Sequence, residues 1–206
     1  MGNKYYGDLS IIGMKGCEDF LSKVNSYLHE WRSEEKDVYN PDTFLVKAEC
    51  PRFGSGEGKA IIYETLRGHD TYIYADVFNY GVTYKMYGMN VPMSPDDHYQ
   101  DIKRILCAIG GKARRVSLIM PMLYEGRQHR RTARESMDCA MALQELVAMG
   151  VKNIVTFDAH DPRVNNAIPL DGFDNVQAAY QMIKALLKTV PDIKLDRDHT
   201  MIVSPD

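Results

Sequence analysis

Several features are missing from this 206-residue chain, and each absence narrows its function. There is no basic excess: 25 Lys and Arg against 28 Asp and Glu leave a formal charge of −3. A whole-protein nucleic-acid surface is therefore not expected, because such surfaces carry strongly basic patches. No apolar run approaches the roughly 18 residues of a membrane-spanning helix. The opening stretch MGNKYYGDLS lacks the apolar core of a signal peptide, and Gly2 is not followed by the Ser or Thr of a myristoylation pattern. The four cysteines, Cys17, Cys50, Cys107 and Cys139, form no C-x-x-C pair, so a structural zinc site is not expected. Such cysteine usage fits a reducing cytoplasm, with Cys107 and Cys139 as small buried hydrophobes on helices.

A phosphate loop is missing too, although Pro51–Lys59 imitates one. The P-loop requires Gly, four residues, then Gly-Lys and a hydroxyl residue. Phe53 stands at the first glycine position and Ala60 at the hydroxyl position. A strand pattern, Ala60–Glu64, follows where a P-loop would open a helix, so no anion-binding helix N-terminus is supplied. A glycine-rich hairpin turn is the plainer reading of this stretch.

What is present reads as alternating strands and helices. Strand patterns lie at Leu9–Met14, Phe44–Ala48, Ala60–Glu64, Thr71–Val77, Val116–Met120, Asn153–Phe157 and Met201–Ser204. Helical spacing recurs through Phe20, Leu21, Val24, Tyr27, Leu28 and Trp31, then Ile102, Ile105, Leu106 and Ile109. It returns in Cys139, Ala142, Leu143, Leu146 and Met149, and in Val176, Ala179, Tyr180, Ile183 and Leu187. Ser94-Pro95-Asp96-Asp97 predicts a helix start: a capping hydroxyl, a proline in the first turn and two acids at the positive end of the dipole. Phe78–Pro95, rich in tyrosine, methionine and glycine, reads as an inserted loop offering a contact surface or a folded-back flap. His29, His69, His98 and His199 have no nameable partners and read as surface residues. Alternation of this kind predicts an α/β fold, a mostly parallel sheet flanked by helices.

Chemistry concentrates at two strand ends. After Val116–Met120 comes a basic run: Arg127, Gln128, His129, Arg130, Arg131 and Arg134. Arginine suits phosphate because its planar fork donates two parallel hydrogen bonds and stays charged. After Asn153–Phe157 come Asp158, Ala159, His160 and Asp161. On an extended strand exit, residues two apart share a face, so Asp158 and His160 could share an ion or a ligand. Ligands of open α/β sheets bind beyond the carboxyl ends of the strands, where both clusters fall.

The segments PMLYEGRQHRR, ARESM and VTFDAHDPRVNNAIPLD resemble, in that order, motifs of the ribose-phosphate pyrophosphokinases (phosphoribosyl pyrophosphate synthetases). The corresponding family patterns are Y-A-R-Q-D, R-x-P-I-S, D-L-H-A and I-P-V-D. The resemblance implies a phosphoribosyltransferase-like fold that binds ATP with Mg2+. By this resemblance Arg127 and Gln128 hold ATP phosphates, and His160 sits at the catalytic ATP–magnesium centre. Asp158, His160, Asp171 and Asp206 are its candidate metal-binding positions. Phe53, Ser55 and Glu57 match a segment that completes the adenine pocket of a neighbouring subunit, with Phe53 stacking on the base. A homo-oligomer is therefore expected.

The chain departs from the pattern at Ser55 and His129, each standing where an acidic residue is usual (Asp or Asn in the first case), and at Ala167, also an aspartate position. The resemblance implies residues 1–200 as an N-terminal ATP-binding domain. Residues 201–206 would open a second domain that carries the ribose 5-phosphate loop and the flexible catalytic loop. The expected reaction of the whole enzyme is diphosphoryl transfer from ATP to ribose 5-phosphate, with the present chain inactive by itself. Two rival readings are a non-catalytic regulatory or assembly subunit of the same family, and a metal-dependent phosphohydrolase built on Asp158 and His160.

Overall fold

The computed structural model describes residues 6–35 and 38–203. The chain divides into two compact units, Met1–Val176 and Gln177–Asp206.

The first unit is built on a five-stranded sheet in the order β1 (Asp8–Gly13), β4 (His69–Tyr74), β7 (Arg115–Ile119), β8 (Asn153–Phe157) and β9 (Gly172–Val176). All four pairings are parallel. Outside β1, Leu45 makes a single parallel bridge to Ile11, held by Ile11 N–H to the Phe44 carbonyl (2.8 Å) and Val46 N–H to the Ile11 carbonyl (2.8 Å). The strand expected at Phe44–Ala48 is thus reduced to one bridge. Counting that bridge, the segments lie across the sheet in the order 2-1-3-4-5-6. The topological switch point therefore lies between β1 and β4.

Both faces of β1 are used, which is why its apolar residues run consecutively rather than alternating. Ile12 joins Ile73, Leu118 and Ile154 under α2 (Pro95–Ile109) and α3 (Asp138–Ala148). Ile11 faces the other way, against Leu21 of α1 (Glu18–Ser33) and Phe44. The start of α2 is a full capping box. The Ser94 hydroxyl accepts from Asp97 N–H, and the Asp97 carboxylate accepts from Ser94 N–H. Gly110, in the left-handed region at φ 59°, ends it.

The stretch expected as an inserted loop is instead a β-hairpin, β5 (Thr83–Met86) and β6 (Met89–Pro92). Its tip is Tyr87-Gly88, both at positive φ (50° and 81°), the backbone twist that two-residue hairpin turns favour. A second short pair, β2 (Ala48–Glu49) with β3 (Ile61–Ile62), is antiparallel and carries the glycine-rich turn between its strands. The rejection of a P-loop there stands.

β9 was not expected. Its polar sequence GFDNV hides the alternation, and Val176 ends this strand instead of opening the following helix. Two solvent-accessibility expectations also fail. Cys107 is exposed, because it lies off the stripe of α2 that faces the sheet, and His98 is buried, its Nε2 3.0 Å from the Asn79 carbonyl oxygen.

The second unit carries α4 (Ala179–Thr189), whose apolar side chains Tyr180, Ile183, Leu186 and Leu187 are all exposed. No strand forms over 201–203, contrary to expectation, and Ser204 lies outside the described residues. Among the described residues no helix is long and apolar enough to cross a membrane.

Candidate active site

The carboxyl ends of β7 and β8 open onto a cleft of about 340 Å³ whose lining includes Glu125, Arg127, Asp158, Ala159 and His160. Its far wall is the root of the hairpin arm, Phe78 and Tyr80, together with Pro95 at the start of α2. The two strand exits are tied together. Phe157 N–H donates to the Pro121 carbonyl (3.1 Å), and Asp158 N–H donates to the Val176 carbonyl at the end of β9 (3.0 Å). Ala159 N–H donates to the Asn175 side chain (2.9 Å). The missed strand β9 is therefore part of what holds the Asp158–His160 loop.

Asp158 and His160 reach the cleft by a different route from the one expected. Strand alternation does not continue past Phe157, because Asp158 adopts φ 42°. Glu125, in the other loop, adopts φ 54°. Left-handed backbone in non-glycine residues costs of order 1 kcal/mol or more and clusters at functional sites. Among the described residues three non-glycine positions have positive φ, and two of them line this cleft.

The electrostatics are mixed. The Glu125 carboxyl is held above the usual carboxylate range by partial burial and by the nearby Asp138 and Asp96 charges, with Arg127 opposing the shift. Asp161 is nearly buried and caps the 3-10 helix Pro162–Ala167, accepting from Arg163 N–H (2.9 Å) and from the Arg163 guanidinium (2.6 Å). Those contacts hold its carboxyl well below the ordinary range. His129 lies between the loops. Its ring centroid is 5.2 Å from that of His160, and its Nε2 is 3.4 Å from the Asp161 carboxylate.

The structure brings Arg127, Asp158 and His160 together, and adds Glu125, which the sequence reading passed over. Its signal was its place at a strand end beside Arg127. Gln128 is turned inward: its side-chain amide donates to the Ser136 carbonyl (2.8 Å) and braces the loop. Asp171 is not brought to the cleft. It precedes β9 at the amino end of the sheet, 3.7 Å from the Lys152 ammonium, the length of β8 away (roughly 16–20 Å at strand rise). Asp206 lies outside the described residues. Phe53, Ser55 and Glu57 sit on the β2–β3 turn and do not line this cleft. There Phe53 N–H donates to the Glu57 carbonyl (2.7 Å), the Ser55 hydroxyl to the Glu57 carboxylate (2.9 Å), and the Phe53 ring is half exposed.

For a divalent ion the donor set is sparse. Among the described residues no group of three or more His, Cys, Asp or Glu side chains could hold a metal ion. Magnesium fits such a site, since it commonly takes one or two carboxylates and completes its shell with water and substrate phosphates. Asp158 and Glu125 are the carboxylates placed for it.

The parallel sheet, its strand order and its flanking helices define a doubly wound α/β domain of the phosphoribosyltransferase-like kind, with a polar cleft beyond adjacent strand ends. Within that class, residues 9–150 match the family described as the N-terminal domain of ribose phosphate pyrophosphokinase, and the chain belongs to that family. It is 26% identical over 179 residues to ribose-phosphate pyrophosphokinase A of Dictyostelium discoideum, covering 86% of this chain and 50% of that protein. It is 25% identical over 166 residues to ribose-phosphate pyrophosphokinase of Bacillus caldolyticus, covering 79% and 45%. The fold is similar to the crystal structure of phosphoribosylpyrophosphate synthetase from Mycobacterium smegmatis, with TM-score 0.66 at 16% identity over 90% of this chain and 53% of that one. The chain spans about half the length of the curated relatives it matches.

Proposed function

We propose that this domain binds ATP with magnesium in the cleft beyond β7 and β8. The reading continues to the transfer of the diphosphoryl group of ATP to ribose 5-phosphate by the whole enzyme. The observation that carries it is the convergence of Arg127, Asp158 and His160 on one cleft from two separate strand ends. Arg127 would pair with phosphate oxygens through its guanidinium fork. His160 would donate to a phosphate oxygen, oriented by its packing against His129. Asp158 and Glu125 would hold magnesium, which supplies charge neutralisation along the triphosphate. Phe53 and Glu57, displayed on a tight turn away from this cleft, fit a role in a neighbouring copy's site and so a homo-oligomer.

Catalysis in such a reaction is positioning plus electrostatic stabilisation, with effective molarities of about 10⁵–10⁸ M from alignment of the acceptor. The chain spans about half the length of its relatives, and by itself it is expected to bind nucleotide weakly and to turn over below detection.

Calorimetry with ATP and magnesium tests the first part. Saturable binding that Arg127→Ala weakens at least tenfold supports it, and no binding at millimolar ATP overturns it. An assay for AMP with ribose 5-phosphate tests the second, where clear AMP formation by the purified chain would overturn the expectation of inactivity. A non-catalytic subunit of the same family is the alternative that His129, Ser55 and Ala167 favour. It predicts no nucleotide binding but retained self-association.

A further inference from the structure

The cleft beyond β7 and β8 has two walls that lie far apart in sequence: Glu125 and Arg127 after β7, and Pro95 at the start of α2. The neighbours of Glu125 and Pro95 tie those walls together. The Tyr124 hydroxyl donates to the Asp96 carboxylate (2.7 Å). Glu125 requires a firm setting, because its backbone sits at φ 54°. A strained position persists only where its surroundings over-determine it.

On its carboxyl side Glu125 is set by backbone hydrogen bonds. Gln128 N–H donates to the Glu125 carbonyl (2.8 Å), and Gly126 N–H donates to the Leu123 carbonyl (3.1 Å). On its amino side the anchor is the Tyr124 side chain. That ring is stacked on Tyr99, with centroids 4.3 Å apart and an interplanar angle of 6°. Tyr99 is buried and is fixed in turn by α3. Its hydroxyl donates to the Glu145 carboxylate (2.8 Å) and lies 3.0 Å from the Ala142 carbonyl oxygen. The Lys103 ammonium donates to the other oxygen of Glu145 (2.9 Å). Two stacked rings therefore carry the placement of α2 and α3 to the residue beside Glu125. Partial burial and the hydrogen bond to Asp96 raise the Tyr124 pKa, which keeps its phenol in the donating form.

Binding groups must be held to within about 0.5 Å by neighbours whose own rotamers are locked. We propose that Tyr124 is a positioning residue. Its stack on Tyr99 and its hydrogen bond to Asp96 hold Glu125 in its left-handed backbone and fix the span between the two walls. In doing so they set the grip of the cleft on magnesium–ATP, a step that rests on the nucleotide reading; the support of Glu125 does not.

Hydrogen exchange and calorimetry on the full chain test the two steps separately. Tyr124→Leu removes both the stack and the hydrogen bond. In it the Gly126 and Gln128 amides should exchange roughly tenfold faster or more, while Leu118 in β7 and Ile154 in β8 keep their parent rates. The same variant should bind magnesium–ATP weaker by roughly tenfold or more. Tyr124→Phe restores the stack and should bring binding back to within about threefold of the parent, the loss of one hydrogen bond. Asp96→Ala should match Tyr124→Phe, and the double variant should be no weaker than either, because all three lack the same bond. Parent exchange at Gln128 in Tyr124→Leu overturns the positioning role, as does equal acceleration at Leu118 and Ile154, which would mean a general loss of stability. Additive losses in the double variant overturn the Tyr124–Asp96 tie. Parent affinity despite faster exchange overturns the link to ligand grip. If the parent binds no nucleotide, the nucleotide reading fails alone, and the exchange rates still decide whether Tyr124 holds Glu125.

Discussion

The His129 and His160 rings lie 5.2 Å apart at a tilt of 54°, one from the loop after β7 and the other from the loop after β8. That contact joins the two polar clusters that the chain separates by a whole helix. His129 Nδ1 is buried without a hydrogen-bond partner among the described residues, while its Nε2 lies 3.4 Å from the Asp161 carboxylate. His129→Phe keeps the packing and removes both the buried polar atom and that contact, and should melt within about 1 kcal/mol of the parent. His129→Ala should lose about 1–2 kcal/mol. Paired thermal melts decide this, and a Phe variant as unstable as the Ala variant would show that the imidazole nitrogens matter more than the ring.

Asp161 sets a pH dependence. Its carboxyl is held below the ordinary range mainly by the Arg163 side chain and backbone. A depressed folded-state pKa contributes stability above the unfolded value, near 3.9, and that contribution is lost as pH falls below it. Asp161→Asn keeps a capping side chain but not the charge. The difference in melting temperature between parent and variant should be constant above about pH 5 and should shrink below about pH 4. A difference that is flat down to pH 3 would mean the charge contributes nothing.

Glu125 carries backbone strain at φ 54°. Glycine accepts that geometry freely, though it costs about 0.5–1 kcal/mol in unfolded-state entropy. Glu125→Gly should therefore melt close to the parent, whereas Glu125→Val, β-branched at positive φ, should lose more than about 1 kcal/mol. If Glu125 helps hold magnesium, both variants should weaken magnesium–ATP binding alike. Equal stability of the two variants would remove the strain argument.

Ser94 closes the capping box of α2, bonded at 3.1 Å to Asp97 N–H. Ser94→Ala should cost about 1 kcal/mol, and Ser94→Gly only a few tenths of that. Denaturant titration separates the two values. Because α2 supplies Ile102, Ile105 and Ile109 to the core, the loss should appear in global unfolding and not in local fraying.

Much of this architecture was legible before any coordinates. The strand Asn153–Phe157, the capped start of α2 at Ser94, and the buried faces of α2 and α3 follow from local rules: apolar period, a hydroxyl before a proline, and glycine after the last turn. The basic and Asp/His clusters could be placed at strand ends because a strand's exit is fixed by its own residues. Elements whose stability comes from distant partners were not legible. β9 is a strand because β8 offers it a parallel edge, not because GFDNV prefers extension. The β5–β6 hairpin was hidden by a composition that reads as loop, and its register is set by pairing along its length and by the Tyr87-Gly88 tip.

The sequence by itself determined the alternation of strands and helices and the residue types at the two strand ends, because both depend on side-chain periods of a few residues. Only the tertiary structure decided which of those residues meet. Parallel pairing of β7 with β8 brings Arg127 beside His160 and leaves Asp171 at the opposite end of the sheet. The left-handed turn at Asp158, not strand alternation, sends its side chain into the cleft. Arg52 reaches Asp101 only because the glycine-rich turn packs on α2, whereas Arg104, one helical turn on, is a local partner of the same carboxylate. Charge balance and site membership are properties of distances across the fold, and spacing along the chain does not encode those distances.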